Sequence, residues 1–267
     1  MRRRVLMFAC TAIAAVAAFA PDPARAAWGT NNQHQLVPAY FYPDWWNTPN
    51  NWTRMCDAMN RTRGASTAIM NPASGPSAAA NSDYAQAIAG CHTRGQHVIG
   101  YVHTSYGARA LAIVRSEIDA YFAFYPGIDG IFLDEMSNDP ATRAYYRSLY
   151  QYISGKPRPH EVVGNPGAAA ATAWQLTTPV ADAVVVFEGT AAAYVSWSPP
   201  SWVRSRVAST ISNLVYATSD ETTMRQACSS SKAKNAGYMY VTDDVLPNPW
   251  DALPAGTFWT NSVASCR

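Results

Sequence analysis

Glutamate is scarce in this chain, and its placement is informative. Only Glu117, Glu135, Glu161, Glu188 and Glu221 occur. Two of them close runs of large apolar residues: IFL leads into Asp134 and Glu135, and VVVF leads into Glu188. A carboxyl at the end of a buried apolar segment is partly desolvated. Burial disfavours its charged form, so its pKa rises and it suits a general acid near neutral pH. A second carboxylate nearby that stays ionised can serve as nucleophile or charge stabiliser. Two carboxyls with divergent pKa values are the working parts of most glycosidases. Any one such acid is as readily the N-cap of a following helix. Asp139, just before Pro140, fits that role better than Asp134 does.

Other chemistries find less support. There is no HExxH, no CxxC pair and no three-ligand cluster, so neither a metal nor another cofactor is expected. No GxSxG elbow is present, which disfavours a serine hydrolase. His92 and His97 read as structural and His34 and His160 as exposed. His103 stands near the end of a strand, placed either to contact substrate or to satisfy a buried backbone group. No basic stripe suggests a nucleic-acid partner. The 9 Trp and 15 Tyr are abundant. Most such rings belong to cores, but a few near loop ends would suit the apolar faces of sugars.

These residues need elements to position them. The start, MRRR, then VLMFACTAIAAVAAFA, then PDPARAA, reads as a secretory signal peptide over 1–26. Removing Arg2, Arg3, Arg4, Arg25 and Asp22 takes the net charge from +2 to about −1. Residues 27–267 then form one domain, secreted or periplasmic, with no membrane span and expected as a monomer. Cys10 leaves with the leader. Cys56, Cys91, Cys228 and Cys266 remain, an even number that argues for two disulfides in an oxidising compartment.

Downstream, strand-like and helix-like segments alternate. Strands are predicted over 36–44, within 66–77, where turn residues follow, within 97–107, which runs into a polar loop, over 128–135, within 161–167, where a turn follows, and over 181–189, 213–220 and 238–244. Their apolar runs are short and nearly continuous, as parallel strands buried on both faces require. Helices are predicted between them, including 47–64, 82–95, 108–127, 140–156, 201–212 and 221–237. The tail NPWDALPAGTFW reads as irregular. Eight such units indicate an α/β fold, a (β/α)8 TIM barrel. An open doubly wound sheet is the alternative, but no GxGxxG follows the first strand. Of the three possible cysteine connectivities, the barrel order favours Cys56–Cys91 and Cys228–Cys266.

In such a barrel the site lies at the C-terminal ends of the strands. In strand order those ends offer Tyr40, Tyr42 and Asp44; Asn71; Tyr101, His103, Thr104 and Tyr106; Asp134 and Glu135; Asn165; Glu188; Tyr216; Asp243 and Asp244. Several of these sit in recognisable segments: AYFYPDWW, MNPASGP, GYVHTSYGAR, YPGIDGIFLDE, GNPG and VVVFEG, in that order. The ordered set resembles the spherulation-specific, or spherulin-4-type, family, whose characterised members belong to glycoside hydrolase family 135.

The resemblance implies a (β/α)8 barrel and endo-cleavage of galactosaminogalactan, an α-1,4-linked polymer of galactose and N-acetylgalactosamine. It also implies an active site built from the acids after the fourth and sixth strands, here Asp134, Glu135 and Glu188. A retaining mechanism is expected. Asp134 would be nucleophile, or would assist the substrate's acetamido group. Glu188 would be general acid and then base. Glu135 would tune Asp134 or bind sugar. Adjacent strand residues face opposite sides, so Asp134 and Glu135 cannot both point inward on a regular strand. Tyr42, Asn71, Tyr101, His103, Asn165 and Tyr240 would line the subsites. The competing readings are a non-catalytic sugar-binding barrel, a glycosidase for another amino-sugar exopolysaccharide, and a structural coat protein.

Overall fold

The computed structural model describes residues 32–62, 64–158, 160–167, 172–177 and 180–267. The expected leader, with Cys10, lies outside them. Eight strands follow one another: β1 (His34–Ala39), β2 (Thr67–Met70), β3 (His97–His103), β4 (Gly130–Asp134), β5 (Glu161–Gly164), β6 (Ala183–Thr190), β7 (Ile211–Tyr216) and β8 (Tyr238–Val241). Each pairs in parallel with the next, and β8 returns to β1, so the sheet closes into the expected (β/α)8 barrel.

Parallel neighbours need a crossover, and helices supply it. They are α1 (Asn51–Met59), α2 (Ser82–His92), α3 (Leu111–Phe124), α4 (Arg143–Ser154), α5 (Trp174–Thr177), α6 (Ala191–Ser196), α7 (Ser201–Arg204), α8 (Glu221–Ala233) and α9 (Gly256–Ser265). Side chains start several of them. Asn50 accepts from the Thr53 amide, Asn81 from that of Asp83, and Asp220 from that of Thr223. Asp139 accepts from the Ala141 amide over the turn that Pro140 opens, so it is the cap its sequence position implied.

Strands β1, β2 and β8 are buried along their whole length, which explains their lack of alternation. Helix packing is close at Gly100, where an added Cβ would stand 2.7 Å from the Tyr121 ring of α3. Two disulfides staple neighbouring helices. Cys56–Cys91 joins α1 to α2, and Cys228–Cys266 joins α8 to the end of α9, the pairing that the barrel order favours. Among the described residues no helix is long and apolar enough to cross a membrane.

The structure corrects four expectations. The tail is not wholly irregular: α9 forms there and buries Trp259, because its apolar face covers α8 and α1. The single helix expected over 201–212 is only α7 and a turn at Ala208–Thr210, because β7 begins at Ile211 to pair with β6. His34 is buried, with its ring 5.9 Å from that of Tyr238. His160 is buried with its ring 4.4 Å from that of Phe122. Burial lowers the pKa of both imidazoles.

Candidate active site

The site begins with the phase of β3 and β4. Gly100 lies against an outer helix, so its neighbours Tyr101 and His103 face the barrel interior. Register pairs Tyr101 with Phe132 and His103 with Asp134. Partners in parallel strands share a face, so Asp134 also points inward. There Asp134 Oδ2 accepts from Tyr101 Oη at 2.7 Å, and Oδ1 accepts from Asn165 Nδ2 at 2.8 Å.

Asn165 joins the two acids. Its Nδ2 also donates to Glu188 Oε2 at 2.7 Å. Its Oδ1 accepts from the Gly167 amide at 2.9 Å, which fixes the amide so that its NH2 group faces the carboxylates. Both acceptor oxygens are bonded to one nitrogen, so they lie no more than about 5.5 Å apart.

Glu188 reaches this position through an irregularity. The β6–β7 register shifts between Val185 and Phe187. Val184 and Val186 pack outward with Val203 and Ile211, and Phe187 packs outward with Ala191 and Tyr194. Two successive residues therefore face the helix layer, and Glu188 emerges on the inner side. Strict alternation would have placed Glu188 in phase with Val184 and Val186, away from Asp134.

Burial sets the electrostatics. It raises the pKa of Glu188 to about 7, with the charge of Asp134 adding to the effect and the Asn165 bond opposing it. Burial also raises Asp134, but three donors oppose it: the Tyr101 hydroxyl, the Glu135 amide and the Asn165 amide. Glu188 has one donor and Asp134 has three. Glu188 is therefore the group that keeps a proton near neutrality, and Asp134 the one favoured as an anion.

Glu135 turns away from the pair. Its φ of 50° is left-handed, which costs a non-glycine residue about 1–2 kcal/mol. Hydrogen bonds hold the turn. The Tyr106 amide donates to the Glu135 carbonyl at 2.7 Å. Thr104 Oγ1 lies 2.8 Å from the same oxygen and 3.0 Å from the Asp134 carbonyl. Tyr146 Oη lies 2.9 Å from Thr104 Oγ1 and accepts from the Ser137 amide at 2.8 Å. The side chain of Glu135 reaches His103 Nδ1 at 3.5 Å, on the open side of the mouth. Arg109 donates to the His103 carbonyl at 2.6 Å and pairs with Glu117, which steadies this rim.

The structure brings Asp134, Glu188, Asn165 and Tyr101 together, with Glu135 and His103 at the rim. Three residues expected to line the subsites do not touch the carboxylate pair. Tyr240 is fully buried against Trp250 and Trp259, so no sugar can touch it. Asn71 uses its side-chain oxygen to accept from the Gly75 amide, which shapes the loop after β2. Tyr42 is exposed on the loop after β1, its hydroxyl engaged by Asp83 and Asn81.

Tyr40 belongs in the lining set instead. Its ring meets Tyr101 edge-on at 5.4 Å, and the charges of Asp134 and Glu188 add to burial in raising its pKa well above the usual phenol value. The sequence signal available was its position at the first strand's end. Thr104 and Tyr146 carried no signal for their part in the turn. Among the described residues no group of His, Cys, Asp and Glu is placed to hold a metal ion.

The pattern of the family described as "Spherulation-specific family 4" matches residues 35–266 of this chain. "Spherulin-4" of Physarum polycephalum is 32% identical over 216 residues, 78% of this chain and 62% of that protein. The chain thus spans less than two thirds of that relative's length. The crystal structure of Aspergillus clavatus Sph3 in complex with GalNAc matches with a TM-score of 0.71 and 24% identity, over 88% of this chain and 97% of that one. That likeness concerns the fold.

Proposed function

The chain belongs to spherulation-specific family 4, and from that premise we propose that it is a secreted, endo-acting glycoside hydrolase. Its substrate is an N-acetylgalactosamine-containing polysaccharide of the galactosaminogalactan type. The observation that carries the reading is the Asn165 bridge. It holds one oxygen of each carboxylate no more than about 5.5 Å from the other, which favours the close carboxyl pair of retaining glycosidases over the wider, water-filled pair of inverting ones. The GalNAc in the Sph3 crystal supports the sugar class, and the two disulfides suit an oxidising compartment.

In the proposed mechanism Glu188, protonated near neutrality, gives its proton to the glycosidic oxygen as that bond breaks. Asp134 attacks the anomeric carbon and forms a glycosyl-enzyme. Glu188, now ionised, takes a proton from water, and the water displaces Asp134 with return of the starting configuration. Tyr101 and Asn165 keep Asp134 ionised and aimed, and Glu135 with His103 meets sugar hydroxyls at the rim.

The test is digestion of purified galactosaminogalactan, with new reducing ends as the readout. Wild type should release them. Asp134→Asn and Glu188→Gln should each be slower by about 10²–10⁴-fold, the usual worth of such a group. Equal release by wild type and variants would refute the site. Binding without new ends would make the barrel a sugar-binding protein.

A further inference from the structure

Seven large apolar side chains stay exposed among the described residues. Five of them, Tyr42, Trp46, Tyr106, Val245 and Leu246, lie on loops after β1, β3 and β8, at the face where the carboxylates emerge. Single exposed apolar residues scattered over a surface need no explanation, but grouping on one face marks a contact surface.

Tyr42 and Trp46 are its most ordered part. Their rings lie at 22° to one another with centroids 6.0 Å apart. The Tyr42 hydroxyl donates to Asp83 and accepts from Asn81 Nδ2 at 3.1 Å. Buried Tyr84 meets the Tyr42 ring edge-on at 5.5 Å. The neighbouring Trp45 indole donates to the Asp83 carbonyl at 3.2 Å. The pair is thus preset by its surroundings, yet Trp46 remains 75% exposed. An open aromatic face rimmed by carboxyl and amide groups suits a pyranose ring, which is apolar on its face and polar at its edge.

Continuity with the carboxylates identifies which sugar. Tyr40 lines the pair, and Tyr42 is two residues further on, no more than about 7 Å of chain. In the closed sheet β1 and β8 are neighbours, across the barrel from the β4–β6 arc that supplies the acids. A polymer that left Asp134 over Tyr40 would therefore be directed towards the Tyr42–Trp46 pair. We infer that Tyr42 and Trp46 form an outer sugar-binding platform, which holds a unit of the same polysaccharide chain away from the point of cleavage. The inference rests on the polysaccharide reading of the site and adds to it the feature that favours cleavage within long chains.

The probes are galactosaminogalactan fragments of graded length. Trp46→Ala and Tyr42→Ala are compared with wild type in turnover, and again combined with Glu188→Gln in a binding assay without turnover. On long fragments each ring deletion should weaken binding and lower kcat/KM about tenfold, chiefly through KM. On the shortest cleavable fragments the deletions should change nothing, and Trp46→Phe should recover part of the loss. Equal affinity of the Trp46→Ala and parent proteins for long fragments overturns the platform. If wild type releases no reducing ends, the glycosidase reading falls by itself. In that case a Trp46-dependent, length-dependent affinity of the Glu188→Gln protein still upholds the platform, and its absence overturns it.

Discussion

Replacing Glu188 by glutamine should stabilise the protein at alkaline pH and not at acid pH. Glu188 ionises at about 7 in the fold, against 4.5 for a free glutamate side chain. Between those values the unfolded chain has already lost a proton that the native state retains. The unfolded state then binds fewer protons, so unfolding free energy falls as pH rises through this window. Full stability is present below about pH 4.5, and the loss is complete above about pH 7. At about 1.4 kcal/mol per pH unit the gap amounts to about 3 kcal/mol, reduced to about 2–3 by the solvent that reaches the mouth. Glutamine keeps the shape and can still accept from Asn165 Nδ2, but it carries no charge to desolvate. Thermal unfolding of both proteins at pH 4 and pH 8 measures the effect. The melting-temperature advantage of Glu188→Gln should grow by about 5–10 °C from the first pH to the second. Titrating groups away from the pair act alike in both proteins and cancel. If the difference between the proteins is the same at both pH values, Glu188 is not a desolvated acid, and its role as proton donor loses its physical basis.

Two further outcomes follow from single contacts. Tyr101→Phe removes the 2.7 Å bond to Asp134 Oδ2, which favours the anion. Asp134 should then ionise at higher pH, moving the acid limb of the kcat/KM profile up by about one unit with about a tenfold loss of rate; an unmoved limb would contradict the assignment of Asp134 as the ionised partner. Removing the Cys56–Cys91 bridge by paired serine substitution opens a loop of 35 residues. By the chain-entropy model this should cost about 2–4 kcal/mol in denaturant unfolding, and an unchanged midpoint would mean the staple adds nothing.

Much of this barrel is legible in the chain. Eight short apolar runs, each followed by capping or turn residues, mark the strands because parallel strands buried on both faces have no polar side to show. The helix starts are equally local, since Asn50, Asn81, Asp139 and Asp220 each bond an amide two or three residues on. Asp134 and Glu188 stand out for the same reason: an acid closing an apolar run marks a place where a buried strand can emerge. Other features depend on partners distant in sequence. Helix α9 forms at the end of a Pro- and Trp-rich tail because it has α8 and α1 to cover. His34 and His160 are polar in type and buried in fact, each beside an aromatic ring supplied by another element.

The sequence by itself determined the strand order, the helix starts and the presence of two acids at strand ends. Only the tertiary structure decided that those acids meet. The phase of Glu188 depends on whether Val186 and Phe187 both find room in the helix layer. That room is made by Val203, Ile211, Ala191 and Tyr194. The spacing of the carboxylates depends on an amide, Asn165, whose direction is set by Gly167. The choice of Tyr40 over Tyr240 as a lining residue depends on which ring the loop after β8 and α9 cover, and Trp250 and Trp259 bury Tyr240. Local periodicity records what one segment needs. Which face a residue takes past an irregularity is settled by the side chains that fill the space beside it.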